Sequence, residues 1–122
     1  MNKEDLKNRT KEFALRIIKL VNSLPNTKSG YVIGNQLIRS GTSIGANYRA
    51  TCRAKSKADF ISKLGTVVEE ADESSFWLEL IIESGLMRKD LIEPLLQECN
   101  EITAIMVSSR KTISNSKTEI QL

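Results

Sequence analysis

The apolar residues of this chain recur at three- and four-residue steps through four long stretches, a period that belongs to the amphipathic α-helix. The first stretch covers residues 4–24, with Leu6, Phe13, Ile17, Val21 and Leu24 on one face and Ala14, Ile18 and Leu20 widening it. The second, 31–54, carries a thin stripe of Ile33, Leu37, Ile44 and Tyr48. The third, 57–84, is the cleanest: Phe60, Leu64, Val67, Ala71, Ser74, Leu78 and Ile81. The fourth, 90–113, runs through Leu91, Leu95, Cys99, Ile102, Met106 and Ile113. No strand-like alternation interrupts them.

Local signals place the ends. Pro25 stops the first helix, because it lacks an N–H and biases Leu24 away from helical geometry. Residues 26–30 read as a connection. Ser56-Lys57-Ala58-Asp59 resembles a capping box, and Ser84-Gly85 reads as a helix C-terminus. Asp90, with Glu93 three residues on, opens the fourth helix and leaves Pro94 in its first turn. The segment 114–122, rich in Ser, Lys and Thr, is expected to fray. Four helices of this length joined by short connections favour antiparallel neighbours. The prediction is one all-α domain over 1–122, an antiparallel up-down-up-down four-helix bundle. Within its second helix, Gly34, Gly41 and Gly45 each cost about 1 kcal/mol against Ala, so they imply close approach to a neighbouring helix.

Several function classes fall away on composition. The chain has no histidine, which removes the commonest general base and metal ligand, and with it Ser-His-Asp and Cys-His catalysis and Cys/His zinc sites. Cys52 and Cys99 are not spaced as a redox pair and lack a histidine to activate them; packing is the expected role. No apolar run reaches the span of a membrane, and Met1-Asn2-Lys3-Glu4-Asp5 does not read as a signal peptide. The cytoplasm is the expected compartment. No cofactor is implied. The net charge of +3 is too mild to diagnose a ligand by itself.

Charge is nevertheless unevenly shared. From Tyr31 to Lys57 the charged residues are Arg39, Arg49, Arg53, Lys55 and Lys57, all basic; from Ala58 to Leu86 they are almost all acidic. Two readings stand. One is solvated faces with cross-helix ion pairs. The other is a phosphate-binding patch made by Arg49, Arg53, Lys55 and Lys57 around a helix end. The acidic string Glu69, Glu70 and Glu73, with Glu98 and Glu101 on the next helix, resembles the magnesium-binding helices of all-helical nucleotide pyrophosphohydrolases; a solvated face is the simpler reading. Phe76 and Trp77 are adjacent, so one of them must point away from the core stripe. Finally, Arg39, Ser43 and Asn47 stand at four-residue steps on one face where a plain bundle would place Leu or Ala. They suit either a buried hydrogen-bond network reaching a helix-three acid such as Glu73, or a direct ligand-binding role.

That polar row carries a resemblance. The segment from Leu37 to Asn47 is similar to the signature helix of the 23S rRNA intervening-sequence protein family, approximately L-x-R-A-x-x-S-I-x-x-N-I-A-E-G, with Leu37, Arg39, Ser43, Ile44 and Asn47 in register. Phe60-Ile61, Leu64, Glu73 and Leu78 match the family's next helix, and Leu24-Pro25 the close of its first. Tyr48-Arg49-Ala50-Thr51 departs from the pattern, as do Glu69-Glu70 and Ser74. The resemblance implies an antiparallel bundle that assembles as a homopentamer, and a related accessory protein of diversity-generating retroelements binds nucleic acid and a reverse transcriptase through a basic surface. The leading expectation is therefore a non-enzymatic oligomer that binds RNA or DNA through Arg49, Arg53, Lys55 and Lys57, with exposed helix-one lysines contributing. A protein adaptor or scaffold is the second expectation. A magnesium-dependent nucleotide hydrolase using Glu69, Glu70 and Glu73 is the third.

Overall fold

The computed structural model describes residues 1–116. It contains four helices, α1 (Lys3–Ser23), α2 (Lys28–Cys52), α3 (Lys57–Glu83) and α4 (Lys89–Ser114), and no strand among the described residues. The chain is an all-α bundle. Contacts between successive helices descend one partner as they climb the other. Thr10, Ile17 and Val21 of α1 lie under Gly45, Gly41 and Gly34 of α2, while Ala71 and Ile61 of α3 meet Cys99 and Arg110 of α4. Neighbours that cross in this order run antiparallel.

The ends follow from side chains that satisfy orphan backbone groups. Asn2 and Asp5 form a reciprocal capping box at the start of α1. Thr27 caps α2 through the Gly30 amide at 3.0 Å, so the helix begins at Lys28, three residues before the start expected at residue 31. Ser29 and Gly30 had the composition of a loop, yet Gly30 is buried in the helix because its bare Cα sits against the Pro25 carbonyl. Ser56 caps α3 through the Asp59 amide at 3.0 Å. Gly85, at φ 73°, ends α3: its amide reaches Ile82 O and the Leu86 amide reaches Ile81 O, a Schellman arrangement.

The start of α4 corrects the sequence reading. Arg88 occupies the cap position with no side-chain cap bond, and its guanidinium instead holds Asp90 at 2.8 and 3.0 Å. The helix begins at Lys89, which puts Pro94 in the second turn, not the first. Its core residue is Ile92, fully buried, whereas Leu91 is 54% exposed. The 92–95–99–102–106 series keeps strict three/four steps, and Leu91 falls one position off it. Ser114 is still helical; of the segment expected to fray, residues 117–122 lie outside the described residues.

The core is formed by the stripes of all four helices, with Phe13, Ile17, Leu37, Ile44, Leu64, Val67, Leu78, Ile81, Ile102 and Met106 almost wholly buried. Each such side chain contributes roughly 1.5–3 kcal/mol. The buried hydroxyls are paired: the Ser74 hydroxyl lies 2.9 Å from Ser40 Oγ, and Thr10 and Thr51 donate to carbonyls one turn back on their own helices, whereas Trp77 Nε1 is buried without a partner among the described residues. The α1/α4 seam is the loosest. No helix among the described residues is long and apolar enough to cross a membrane.

Candidate functional site

The first candidate to resolve is the row Arg39, Ser43 and Asn47. The structure does not bury it. The Arg39 side chain is half exposed and reaches across to α3, where its guanidinium meets Glu70 at 3.2 Å and also pairs with Glu73. Ser43 Oγ donates to its own helix at Arg39 O (2.6 Å), and Asn47 Nδ2 donates to Ser43 O (2.8 Å). The four residues thus do not form one interior network. Arg39 and Glu73 make a surface clamp between α2 and α3, while Ser43 and Asn47 turn back on α2. The reason is rotational. Residues 37, 41, 44 and 48 take the core direction, leaving 39, 43 and 47 on the shoulder that borders α3. The polar pair that is buried is Ser40–Ser74, and both members already stood in or beside core stripes.

The acidic string is divided by its partners. Glu70 and Glu73 are taken by Arg39; Glu69 is exposed on another side of α3. On α4, Glu98 accepts two bonds from Arg9, at 2.8 and 2.7 Å, and Glu101 accepts a third at 2.9 Å. This tie between the first and last helices was not legible in the sequence. The Arg9 guanidinium holds the Glu98 carboxyl below its ordinary range, against the opposing effect of burial. No group of three acidic, Cys or His side chains among the described residues is placed to share a metal ion.

Neither cysteine forms a disulfide. Burial pushes the Cys99 thiol up to about 12, and the thiol donates to Ala71 O at 3.2 Å. Cys52 is half-buried against Tyr48, whose own ionisation is pushed upward by burial first and by Cys52 second. Phe76 is the outward member of the aromatic pair, 50% exposed, and meets Trp77 edge-on at 5.1 Å between ring centres.

The predicted basic patch is divided and extended. Arg49 and Arg53 are exposed, one turn apart at the end of α2. The antiparallel fold brings Lys7 and Lys11 of α1 beside them. Lys7, Lys11 and Arg49 line one shallow groove of the α1/α2 seam with Ala14, Thr42, Gly45 and Ala46. Lys7, Arg49 and Arg53 line the adjoining one with Cys52 and Glu4. No ion pair or hydrogen bond engages the side chain of Lys7, Lys11, Arg49 or Arg53 among the described residues. Lys55 stands in the α2–α3 connection, its amide bonded to Asp59 at 3.0 Å. Lys57 belongs to a different side of the bundle: its ammonium donates to the Ser116 carbonyl, just past the C-terminus of α4, where a cation is favoured. The structure therefore groups two of the four predicted residues with two lysines of α1, and sets Lys57 apart.

A family model described as 23S rRNA-intervening sequence protein matches residues 2–108. The chain belongs to that family. It is similar, at 39% identity and a TM-score of 0.84, to a crystal structure from Bacteroides thetaiotaomicron VPI-5482, described as a protein of unknown function from the S23 ribosomal protein family. The match covers 91% of this chain and 99% of that one. No curated protein matches the chain. The residues matched to the intervening-sequence family include the polar row Arg39, Ser43 and Asn47 of α2, and also Lys7, Lys11, Arg49 and Arg53 of the basic seam.

Proposed function

We propose that this protein is a non-enzymatic, oligomeric helical bundle that binds nucleic acid, structured RNA foremost, through the basic α1/α2 seam. The observation that carries the reading is the convergence of Lys7, Lys11, Arg49 and Arg53, all without partners among the described residues, with Glu4 the one acid lining the same grooves. Uncompensated cations on rigid helices are what phosphate contacts require, and they supply affinity without sequence information. The family's description, which ties it to an intervening sequence of 23S rRNA, makes RNA the ligand to try first. The expected outcome is binding to a folded RNA that weakens steeply as salt is raised from 50 to 200 mM, and that is largely lost in the double variant Arg49→Ala/Arg53→Ala. Binding indifferent to salt, or retained in full by the double variant, would refute the reading.

Oligomerisation is part of the same proposal. Leu15, Ile18, Tyr31, Val32 and Phe76 are large, apolar and exposed, which suits faces covered by other copies. The family resemblance implies five copies, so light scattering should return about five times the 13.7 kDa of one chain. Several basic seams on one particle would multiply weak contacts by avidity. The adaptor reading draws support from one feature, the exposed Phe76 edge packed on Trp77. Partner capture that survives nuclease and is abolished by Phe76→Ala would favour it.

A further inference from the structure

The basic seam has a shape that restricts which form of nucleic acid it can hold, and this inference rests on the nucleic-acid reading above. Lys7 and Lys11 are four residues apart on α1, as are Arg49 and Arg53 on α2, so each pair is spaced about 6 Å along its helix axis. The helices carrying them run antiparallel and close together: a Cβ on Gly45 would lie 3.3 Å from Thr10 Oγ1. Helix axes packed this way are about 8–10 Å apart. The four cations are thus two short rows, with Lys7, Lys11 and Arg49 held on helices and Arg53 at the C-cap of α2, beside a floor of Ala14, Gly45 and Ala46.

Two other properties of the seam narrow the ligand. No aromatic side chain lines either groove. Tyr48 is 5% exposed, and the exposed aromatics are Tyr31, at the opposite end of the seam beside Pro25, and Phe76, on α3. Proteins that hold single strands depend on such rings to stack unpaired bases. The seam also offers no free amide to read base edges. Its one hydroxyl, Thr42 Oγ1, donates to Ile38 O at 2.6 Å on its own helix. What remains is two rows of charge, with no ring to stack on a base and no amide to pair with one. A single strand presents one row of phosphates; a double helix presents two, one on each side of a groove.

We infer that the ligand of the α1/α2 seam is a double-helical stem, gripped across a groove by its two phosphate rows: Lys7 and Lys11 take one strand, Arg49 and Arg53 the other. Recognition is of duplex form and is independent of sequence. Each row contributes equally, because neither is sufficient to bridge the groove alone.

The test compares a blunt RNA stem, either of its strands alone at the same length, and a DNA duplex of the same sequence, each titrated against the full chain at several salt concentrations. The stem should bind at least tenfold tighter than either strand. The DNA duplex should also bind, since it too carries paired phosphate rows, but not equally, because its B-form grooves differ in width from those of the A-form stem. The logarithmic salt slope on the stem should fall by about two contacts in Arg49→Ala/Arg53→Ala and by the same amount in Lys7→Ala/Lys11→Ala, each contact adding roughly 0.9 to the slope. All four residues lie on the surface seam, and unchanged circular dichroism checks that both variants fold. Equal or tighter binding of a single strand, failure of the DNA duplex to bind, or a loss confined to one row would overturn the inference while leaving the nucleic-acid reading intact. No binding of any of the three would overturn both.

Discussion

At the scale of single residues, the glycines separate into positions where a side chain is forbidden and positions where it is merely absent. A methyl on Gly41 would stand 2.9 Å from two carbons of Ile17, a β-branched side chain that is wholly buried and has nowhere to move. A methyl on Gly65 would meet only the far end of Arg110, 3.3 Å away. The same substitution therefore has opposite signs. Gly41→Ala should lose about 1–2 kcal/mol, overpacking outweighing the gain in helix propensity. Gly65→Ala should gain up to about 1 kcal/mol, because the guanidinium can shift and the propensity gain remains. Urea unfolding of the two variants beside the parent checks both signs. Equal effects would show that propensity alone governs these positions. Close approach at Gly41 was legible in the sequence, since a helix with a thin apolar stripe kept three glycines. The neighbour it approaches was not, because Ile17 is one of several stripe residues on α1 and only the crossing geometry selects it.

At the scale of elements, the stripes of α1, α2 and α3 were readable because core positions there keep helical spacing over several turns. The misreadings cluster at the opening of α4, where local signals compete. Asp90 and Glu93 look like a capping pair, and Leu91 looks like the first core residue. The bidentate pairing of Arg88 with Asp90 removes the carboxylate from capping, and the rotation set by Cys99, Ile102 and Met106 brings Ile92 inward instead. The candidate site was half legible for a related reason. Arg49 and Arg53 are one turn apart in sequence, so their cluster shows in the chain. Their grouping with Lys7 and Lys11 depends on antiparallel packing across some 40 residues of chain, and the diversion of Lys57 depends on where α4 ends. The start of α4 also carries an avoidable cost. With Pro94 in the second turn, the Asp90 carbonyl loses its helical donor and faces the proline ring. Pro94→Ala should stabilise the protein by about 1 kcal/mol, below the roughly 3 kcal/mol of a helix centre because only one turn lies upstream. A higher urea midpoint at unchanged slope would bear this out; a lower one would mean that proline is positioning the α3–α4 connection.

At the scale of the molecule, the first and last helices close the bundle along its loosest seam, and the tie across it is ionic. Arg9 holds Glu98 by a two-point bond and Glu101 by a third, with Arg9 and Glu98 both about one-fifth exposed. That degree of shielding separates it from the fully solvated Arg88–Asp90 pair, where screening leaves little net stabilisation. Because Arg9 lowers the Glu98 carboxyl below its value in the unfolded chain, the bond's contribution is complete above the ordinary carboxylate range, near pH 4.3, and is lost as pH falls through the lower folded value. Glu98→Gln keeps the shape of the side chain and removes this titration. The variant should be less stable than the parent at pH 7, and the gap should narrow below pH 4 until the two unfold alike once the parent's Glu98 is protonated. Arg9→Met should show the same convergence, since it removes the other partner of the same bond. Urea midpoints measured at pH 7, 5 and 3 decide the matter. A gap that stays constant across the three would show that Glu98 stabilises the α1/α4 seam by packing and not by charge, and the closure of the bundle would then rest on its apolar stripes alone.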